Sequence, residues 1–389
     1  MNRHTNLTPI PINEVSGFSL GHWTDPIGAT GCTAIVCPAG ATGGVDVRGG
    51  APATRETDLL KPENTVDTVH AVMLSGGSLF GLAAASGAAI ELEKRGIGLP
   101  VGPARAPIVV AASLFDLMVG DPQARPTEAA GQHAVAAALD KSPEATPSIS
   151  HNTHTKSHDT YNHHPDLLDA KADASTETLT QLTPRTHASQ HSTAPLAEGS
   201  VGAGTGASVG KLLGPEHTMK GGLGARAFAV GKLQVGAVTA VNACGNVVDP
   251  TTLEPIAGMR DETGRILDME AAMIEQAAHL SMPLDQGRAN TTISCIITNA
   301  RLTKAQATKV AQMAADAYAR TIRPAHTTND GDSIFVLASG EMSIADTPPI
   351  DLIGVVAVQA LEAAIVAAIR EATSLCGVPA ARELGTKQA

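Results

Sequence analysis

The sequence predicts an α/β protein in which helices cover sheets in layers. Long alanine-rich segments that carry helix caps alternate with short β-type runs. Those runs read as strands buried on one face or on both. Aromatic residues make up only 2% of the 389 residues, whereas Ala and Gly abound, so packing must rely on small and aliphatic side chains in closely apposed layers. A chain of this length can bury a sizeable core. The pattern leaves strand order open.

From residue 17 to residue 121 the chain is densely patterned, with runs such as TAIVCPA and GGVDVRGG set apart by glycine turns. Residues 70–74 are expected to form a buried strand, 75–78 a glycine-rich turn, and 79–95 an alanine-rich helix closed by Gly96. Around Leu139 the texture changes. Residues 140–197 are rich in Ser, Thr, His, Pro and Asp with little periodic hydrophobicity, which predicts a disordered insertion. Seven of the 14 histidines lie there, but no cysteine joins them, so a solvated linker is expected rather than a metal site. Order resumes at Val201. Strands are expected around 227–230 and 236–244, and a helix over 269–280. Alternation over 292–298 places Ile293, Cys295 and Ile297 on one face of a strand. Thr303 can cap a helix running to 322, DSIFVLA is another strand, and 351–374 forms a last long helix.

Composition excludes several classes. Net charge is -11 and no basic run or aromatic-interleaved basic patch appears, so the electrostatic footprint of a nucleic-acid binder is missing. The five cysteines, Cys32, Cys37, Cys244, Cys295 and Cys376, are scattered and odd in number. They are expected to be small buried residues in a reducing compartment, not a disulfide framework. Cys32 and Cys37 lack a second pair at metal-ligand spacing, and no metal or cofactor is expected. The N-terminus has no continuous apolar core of a signal peptide, and the apolar stretch 353–369 is interrupted by Gln359 and Glu362. A soluble, cytoplasmic protein without membrane partners is expected.

Several motifs carry candidate chemistry. GAGTGASVGK follows the polar insertion rather than a strand, so it is no dinucleotide fingerprint. Thr205 and Leu212 stand where a phosphate loop needs Gly and a magnesium-binding hydroxyl, so it is no such loop either. Its glycines still allow close backbone approach, and it ends in Lys211, which is otherwise a solvated surface lysine. Asn242 closes an apolar run, where it forms a turn or points an amide donor at a developing oxyanion. Asp330 and Asp332 share a tight turn in TTNDGD. That spacing lets both carboxylates meet one site, although the rest of an EF-hand loop is absent and an ordinary Asp-Gly turn has the same pattern. SGGSLFG lacks the spacing of a serine-hydrolase nucleophile elbow.

RANTTISCIITNARL begins a buried strand with a carboxamide and two hydroxyls. A threonine becomes a nucleophile most economically as the first residue of a chain, because its own α-amine can take the hydroxyl proton. That amine titrates at about 7.7–8.0, close to working pH. An internal threonine reaches this state if its hydroxyl attacks the preceding carbonyl, here that of Asn290, and the ester is hydrolysed. Spacing alone does not choose between Thr291 and Thr292, and both also suit an ordinary strand.

NTTISCIITNARL and RTIRPAHTTNDGDSIF, together with GGVDVRGGAPATRETDLL, LSGGSLFGLAAASG, the segment from Glu198 to Lys211 and VTAVNACGNVVD, resemble the DmpA-type family of self-processing N-terminal-nucleophile hydrolases. That family includes L-aminopeptidase/D-esterases, β-peptidyl aminopeptidases and the nylon-oligomer endohydrolase. The resemblance covers nearly all of the chain outside its ends and the His-rich insertion. It implies a four-layer αββα sandwich of the DmpA and ornithine-acetyltransferase type. It also implies cleavage between Asn290 and Thr291 into an α chain, 1–290, and a β chain, 291–389, which remain associated and assemble into a homo-oligomer. Thr291 then matches the nucleophile, Asn242 the oxyanion donor, and Lys211, Asp330 and Asp332 a lysine and two acids of the threonine-type members. Phe115 stands at a substrate-pocket position where characterised hydrolases carry a tyrosine, so a hydroxyl donor is missing. No acidic side chain stands at Ser113 or Leu114 to pair with a free amine.

The expected function is therefore hydrolysis of peptide or other amide bonds in small substrates through an acyl-threonine intermediate. An acyltransferase with the same processing chemistry, or a non-catalytic protein whose His-rich insertion buffers metal, are the alternatives.

Overall fold

Glycines shape the first long strand without ending it. The two runs expected to be separate strands, TAIVCPA and GGVDVRGG, are one strand of 18 residues, Thr30–Val47. Gly40, at φ +85°, marks a register irregularity within it rather than a turn. Gly44 is needed for packing: a Cβ there would lie 2.4 Å from the backbone of Ala307 and Thr308. Glycine was thus read as punctuation where it serves close approach.

The computed structural model describes residues 7–140, 196–278 and 290–384. The insertion expected at 140–197, but for its edges, and the end of the helix expected over 269–280 lie outside them. Among the described residues, ten strands build the main sheet: β1 (Thr8–Ile10), β2 (Ser19–Asp25), β3 (Thr30–Val47), β4 (Thr54–Arg55), β5 (Val69–Ser75), β6 (Val109–Ser113), β7 (Gly222–Val230), β8 (Leu233–Asn242), β9 (Thr291–Thr298) and β10 (Ser333–Ala338). Their order is β1-β7-β8-β9-β10-β3-β5-β6-β4, with β2 also on β3. The first half of β3 pairs β2 and β5, whereas its second half pairs β10. One strand therefore belongs to two sheets.

The main helices are α1 (Ala83–Lys94), α2 (Glu128–Leu139), α3 (Met269–Ala278), α4 (Lys304–Ala314), α5 (Asp316–Thr321) and α6 (Ile350–Arg370). The helix expected over 79–95 opens as a 3-10 turn, Ser78–Leu82, before α1 begins, and Gly96 at φ +72° follows its end. Thr303 caps α4 in a reciprocal capping box with Gln306. The single helix expected to run to 322 is instead divided at Ala315 into α4 and α5. α6 is long and apolar enough to cross a membrane, yet most of that apolar window is buried, and the helix lies against β7 and β8.

Three apolar cores define the layering. One lies between the two sheets, where Ile35, Val72, Leu74 and Val110 meet Val238, Ile293, Cys295, Ile297 and Phe335. A second fills the space between β5, β6 and the first half of β3 on one side and α1 and α2 on the other. A third joins the outer face of β8, β9 and β10 to α4, α5 and α6. Three cores between four layers make an αββα sandwich. Alternation along β9 works as the sequence indicates, with Ile293, Cys295 and Ile297 facing the inter-sheet core and Ile296 facing the helices. Alanine and glycine let the layers approach: a Cβ at Gly224 would lie 2.0 Å from the Ala364 carbonyl oxygen of α6.

The cysteines divide. Cys32, Cys37 and Cys295 are buried and burial pushes their thiols up, those of Cys32 and Cys37 to about 12. Cys376 is exposed and Cys244 half-buried, against the expectation that the set would be core residues, because both lie in irregular segments outside the strands.

Candidate active site

The centre of the site is set by strand register. β8 and β9 run antiparallel, and their pairing ends with Asn242 directly opposite Thr291. Directly opposed residues share a face, so the two side chains lie on one face of the sheet at the same end. Thr291 is buried, and its hydroxyl donates to the carbonyl oxygen of Asn290 in the intact chain. The same carbonyl oxygen accepts the N–H of Gly331 at 2.7 Å, while the N–H of Asn290 donates to the Asn329 carbonyl at 3.0 Å. The Asn290–Thr291 peptide is thus held from the neighbouring turn on both sides of residue 290. Only glycine fits at 331, because a Cβ there would lie 2.7 Å from Thr291 Oγ1.

That turn carries the two acids. Asp332 accepts the N–H of Thr292 at 2.8 Å on one oxygen. Its other oxygen accepts the N–H of His326 at 3.1 Å and lies 2.9 Å from His326 Nδ1. Asp330 accepts the N–H of Thr327 at 2.6 Å through Oδ2, but its Oδ1 is buried with no hydrogen-bond partner among the described residues. Burial, and then the charge of Asp332, push the Asp330 carboxyl up to about 6. The turn is clasped by the Arg48–Ala51 loop, whose Arg48 and Ala51 N–H groups reach the carbonyls of Asp332 and Asp330 at 3.1 and 2.8 Å. Gly49 and Gly50 permit this: a Cβ on Gly49 would lie 2.2 Å from the Asp330 carbonyl oxygen.

The amide of Asn242 is fixed in orientation by its partners. Oδ1 accepts the Ser208 N–H at 3.0 Å and Lys211 Nζ at 2.7 Å, and Nδ2 donates to the Phe115 carbonyl at 2.8 Å. Among the described residues, one of the two Nδ2 hydrogens has no partner. Burial lowers Lys211 to about 8, opposed by the charges of Cys244, Asp330 and Asp116. The candidate site residues Thr291, Asn290, Asn242, Lys211, Asp330, Asp332 and Phe115 therefore fall in two hydrogen-bonded groups that join where Asn242 pairs with Thr291 in the sheet. Phe115 takes part through its backbone carbonyl rather than its ring.

Other members of the network carry no sequence signal. Lys220 is buried and donates to the carbonyls of Thr205 and Ala207, on either side of Gly206, at 2.6 and 2.8 Å. Asp116 accepts the Gly77 N–H at 2.7 Å and the Thr30 hydroxyl at 2.8 Å. Burial raises Asp116 and lowers Lys220 to about 7, and each charge opposes that shift in the other. These two residues hold the glycine-rich segments next to Ser208 and Phe115, which in turn hold Asn242. Behind β9, Tyr318 is buried, lies 2.7 Å from the Ser294 hydroxyl, donates to the Thr292 carbonyl at 3.0 Å and stacks on His326. His326 stands inside a motif noticed for its aspartates alone. Among the described residues, no group of three or more His, Cys, Asp or Glu side chains is gathered as metal ligands would be.

Chemically, the arrangement places a hydroxyl on a peptide carbonyl, an amide donor opposite it and a carboxyl of raised pKa in the adjoining turn. Peptidase family S58 matches this chain over residues 11–146 and 166–382, on both sides of a gap within the His-rich insertion. An uncharacterised aminopeptidase of Mycobacterium leprae is 36% identical over 389 aligned residues, which cover 95% of this chain and 92% of that protein. A 6-aminohexanoate-oligomer endohydrolase of Agromyces sp. is 27% identical over 86% of this chain and 76% of its own. Among solved structures, the L-aminopeptidase D-Ala-esterase/amidase of Ochrobactrum anthropi, described as a variant of the Ntn hydrolase fold, superposes with a TM-score of 0.58. At 16% identity it covers 93% of this chain and 86% of its own. That likeness shows the fold, and the Mycobacterium relative and the family match extend to the sequence. The αββα chain with threonine opposite asparagine at its sheet end belongs to peptidase family S58, a family of peptidases and amidohydrolases.

Proposed function

We propose that this protein is a self-processing N-terminal threonine hydrolase that cleaves amide bonds in small substrates. The observation that carries this reading is the pairing of Thr291 with Asn242, with the Thr291 hydroxyl on the Asn290 carbonyl. Cleavage at that peptide frees the α-amine of Thr291 beside its own hydroxyl. In turnover, Oγ1 attacks the substrate carbonyl while the amine takes its proton, and the free Nδ2 hydrogen of Asn242 donates to the oxyanion. The leaving amine departs with a proton, an acyl-threonine ester remains, and water releases the acid. Lys211 polarises the carboxamide through Oδ1, and Asp330 and Asp332 set the charge around the new amine.

The substrate class follows from the site's surroundings. Neither Ser113 nor Leu114 offers a carboxylate for a free amine, so this reading is not restricted to amino-terminal amides. Names of relatives support that breadth, since one is called an aminopeptidase and another an oligomer endohydrolase.

Mass analysis of protein quenched during turnover of amino-acid anilides and 6-aminohexanoate oligomers tests this reading. An acyl adduct on the fragment beginning at Thr291 is expected. An adduct elsewhere, or none with hydrolysis continuing, contradicts it. Added amine that diverts the acyl group from water would assign the acyltransferase alternative instead.

A further inference from the structure

The self-cleavage step needs an oxyanion donor of its own. When Thr291 Oγ1 attacks the carbonyl carbon of Asn290, negative charge develops on the Asn290 oxygen. The amide of Asn242, assigned above to substrate, is not bonded to that atom: its Nδ2 donates to Phe115. The atom is bonded to the N–H of Gly331, at 2.7 Å, in the intact chain. We propose that the Gly331 N–H is the oxyanion donor of self-cleavage, a catalytic group separate from Asn242; this rests on the self-processing reading above.

Four features of the geometry support the role. The donor is already at hydrogen-bond distance, so no reorganisation is needed as charge develops. It is a backbone group in a turn clamped twice, by the parallel bridge between Asn290 and Asp330 and by the Arg48–Ala51 loop on its other side. Glycine at 331 leaves room for Thr291 Oγ1, which a Cβ would meet at 2.7 Å. The site is buried, with Asn290, Thr291 and Asp330 each at most 3% exposed, so bulk solvent screens the developing charge little.

The step balances as follows. The Oγ1–C bond forms and the carbonyl π electrons move to the Asn290 oxygen, where the Gly331 N–H meets them. The tetrahedral centre then collapses, the C–N bond of the Asn290–Thr291 peptide breaks, and the departing nitrogen gains the proton that Oγ1 loses. One water hydrolyses the ester, giving the carboxylate of Asn290 and restoring the Thr291 hydroxyl. Once Asn290 is free to leave, the donor has no further obligatory partner at that position.

Replacing Gly331 by glycolate in the full-length chain turns one peptide into an ester, which deletes this N–H and weakens the Asp330 carbonyl as an acceptor. Replacing Ala51 by lactate deletes a different bond to the same turn, the one to the Asp330 carbonyl at 2.8 Å. Self-cleavage is followed by intact mass, with folding of each precursor checked by circular dichroism. The proposal expects the glycolate precursor to fold and cleave slower by on the order of 100-fold or more. It expects the lactate precursor to cleave near the unmodified rate. Cleavage of the glycolate chain at the unmodified rate overturns the proposal, and so does equal slowing by lactate, which would make the effect one of loop stability. Failure of the unmodified chain to cleave at all overturns instead the self-processing reading on which the proposal rests.

Discussion

At the acidic turn, the two carboxylates differ in what their hydrogen bonds leave free. Both oxygens of Asp332 are engaged, by Thr292 on one side and His326 on the other. Asp330 keeps a buried oxygen without a partner among the described residues, and its carboxyl is held up at about 6. During self-cleavage the nitrogen of Thr291 is still a peptide nitrogen and cannot act as a base, so we assign the hydroxyl proton to Asp330, which has a buried oxygen without a partner in the adjoining turn. It must be ionised to do so. Self-cleavage of a precursor purified at low pH is therefore expected to slow about tenfold per pH unit below about 6. Amide hydrolysis by the cut enzyme, which uses Asn242, should instead weaken above about 8, where Lys211 loses the charge that polarises that carboxamide. Asp330→Asn should abolish the acid limb of self-cleavage while slowing it at every pH. A flat profile between pH 5 and 9 would remove Asp330 from this role. In the cut enzyme, Asn242→Ala is expected to lower kcat by on the order of 100-fold to 1,000-fold. An unchanged kcat would assign the oxyanion to another donor. The site's side chains were legible where they end a strand or sit in a turn, as Asn242, Thr291 and Asp330 do. Asp116 and Lys220 were not, because Asp116 meets Thr30 from 86 residues away and Lys220, among the described residues, bonds backbone carbonyls. The Gly331 donor is itself backbone and leaves no mark in a side-chain pattern.

At the scale of elements, the position of β9 decides what cleavage can do to the molecule. β9 lies between β8 and β10, and β10 in turn pairs β3, so a cut before Thr291 leaves the second fragment's strands in the middle of the first fragment's sheet. Each fragment alone would expose unpaired strand edges and the cores that β3, β7 and β8 of the first fragment share with β9, α4 and α6 of the second. The fragments are therefore expected to co-elute on size exclusion and to separate only in denaturant. Separation under native conditions would contradict that expectation. The strand, the capped start of α4 and the long α6 were readable from alternation and caps, which are local signals. The division of the expected helix at Ala315 and the continuity of β3 were not. In β3, Gly44 serves contact with α4, across more than 250 residues of chain, and a local reading assigns it to a turn.

For the whole molecule, low aromatic content and abundant small residues correctly indicated thin, close layers, whereas strand order depends on pairing between distant segments and was unreadable from pattern alone. The His-rich insertion tests how self-contained the layered unit is. The site residues identified here lie within 48–332 but outside 140–197, and the family match omits residues 147–165. Deleting residues 142–194 is expected to leave both self-cleavage and amide hydrolysis within a few-fold of the parent, as measured by intact mass and by release of anilide. Loss of both in a folded variant would give the insertion a part in the chemistry. The most direct test of the central claim is the intact mass of the purified protein beside its Thr291→Ala variant. Two fragments, 1–290 and 291–389, are expected from the parent and a single uncut chain from the variant. An uncut parent, or a variant cut at the same peptide, would contradict Thr291 as the nucleophile.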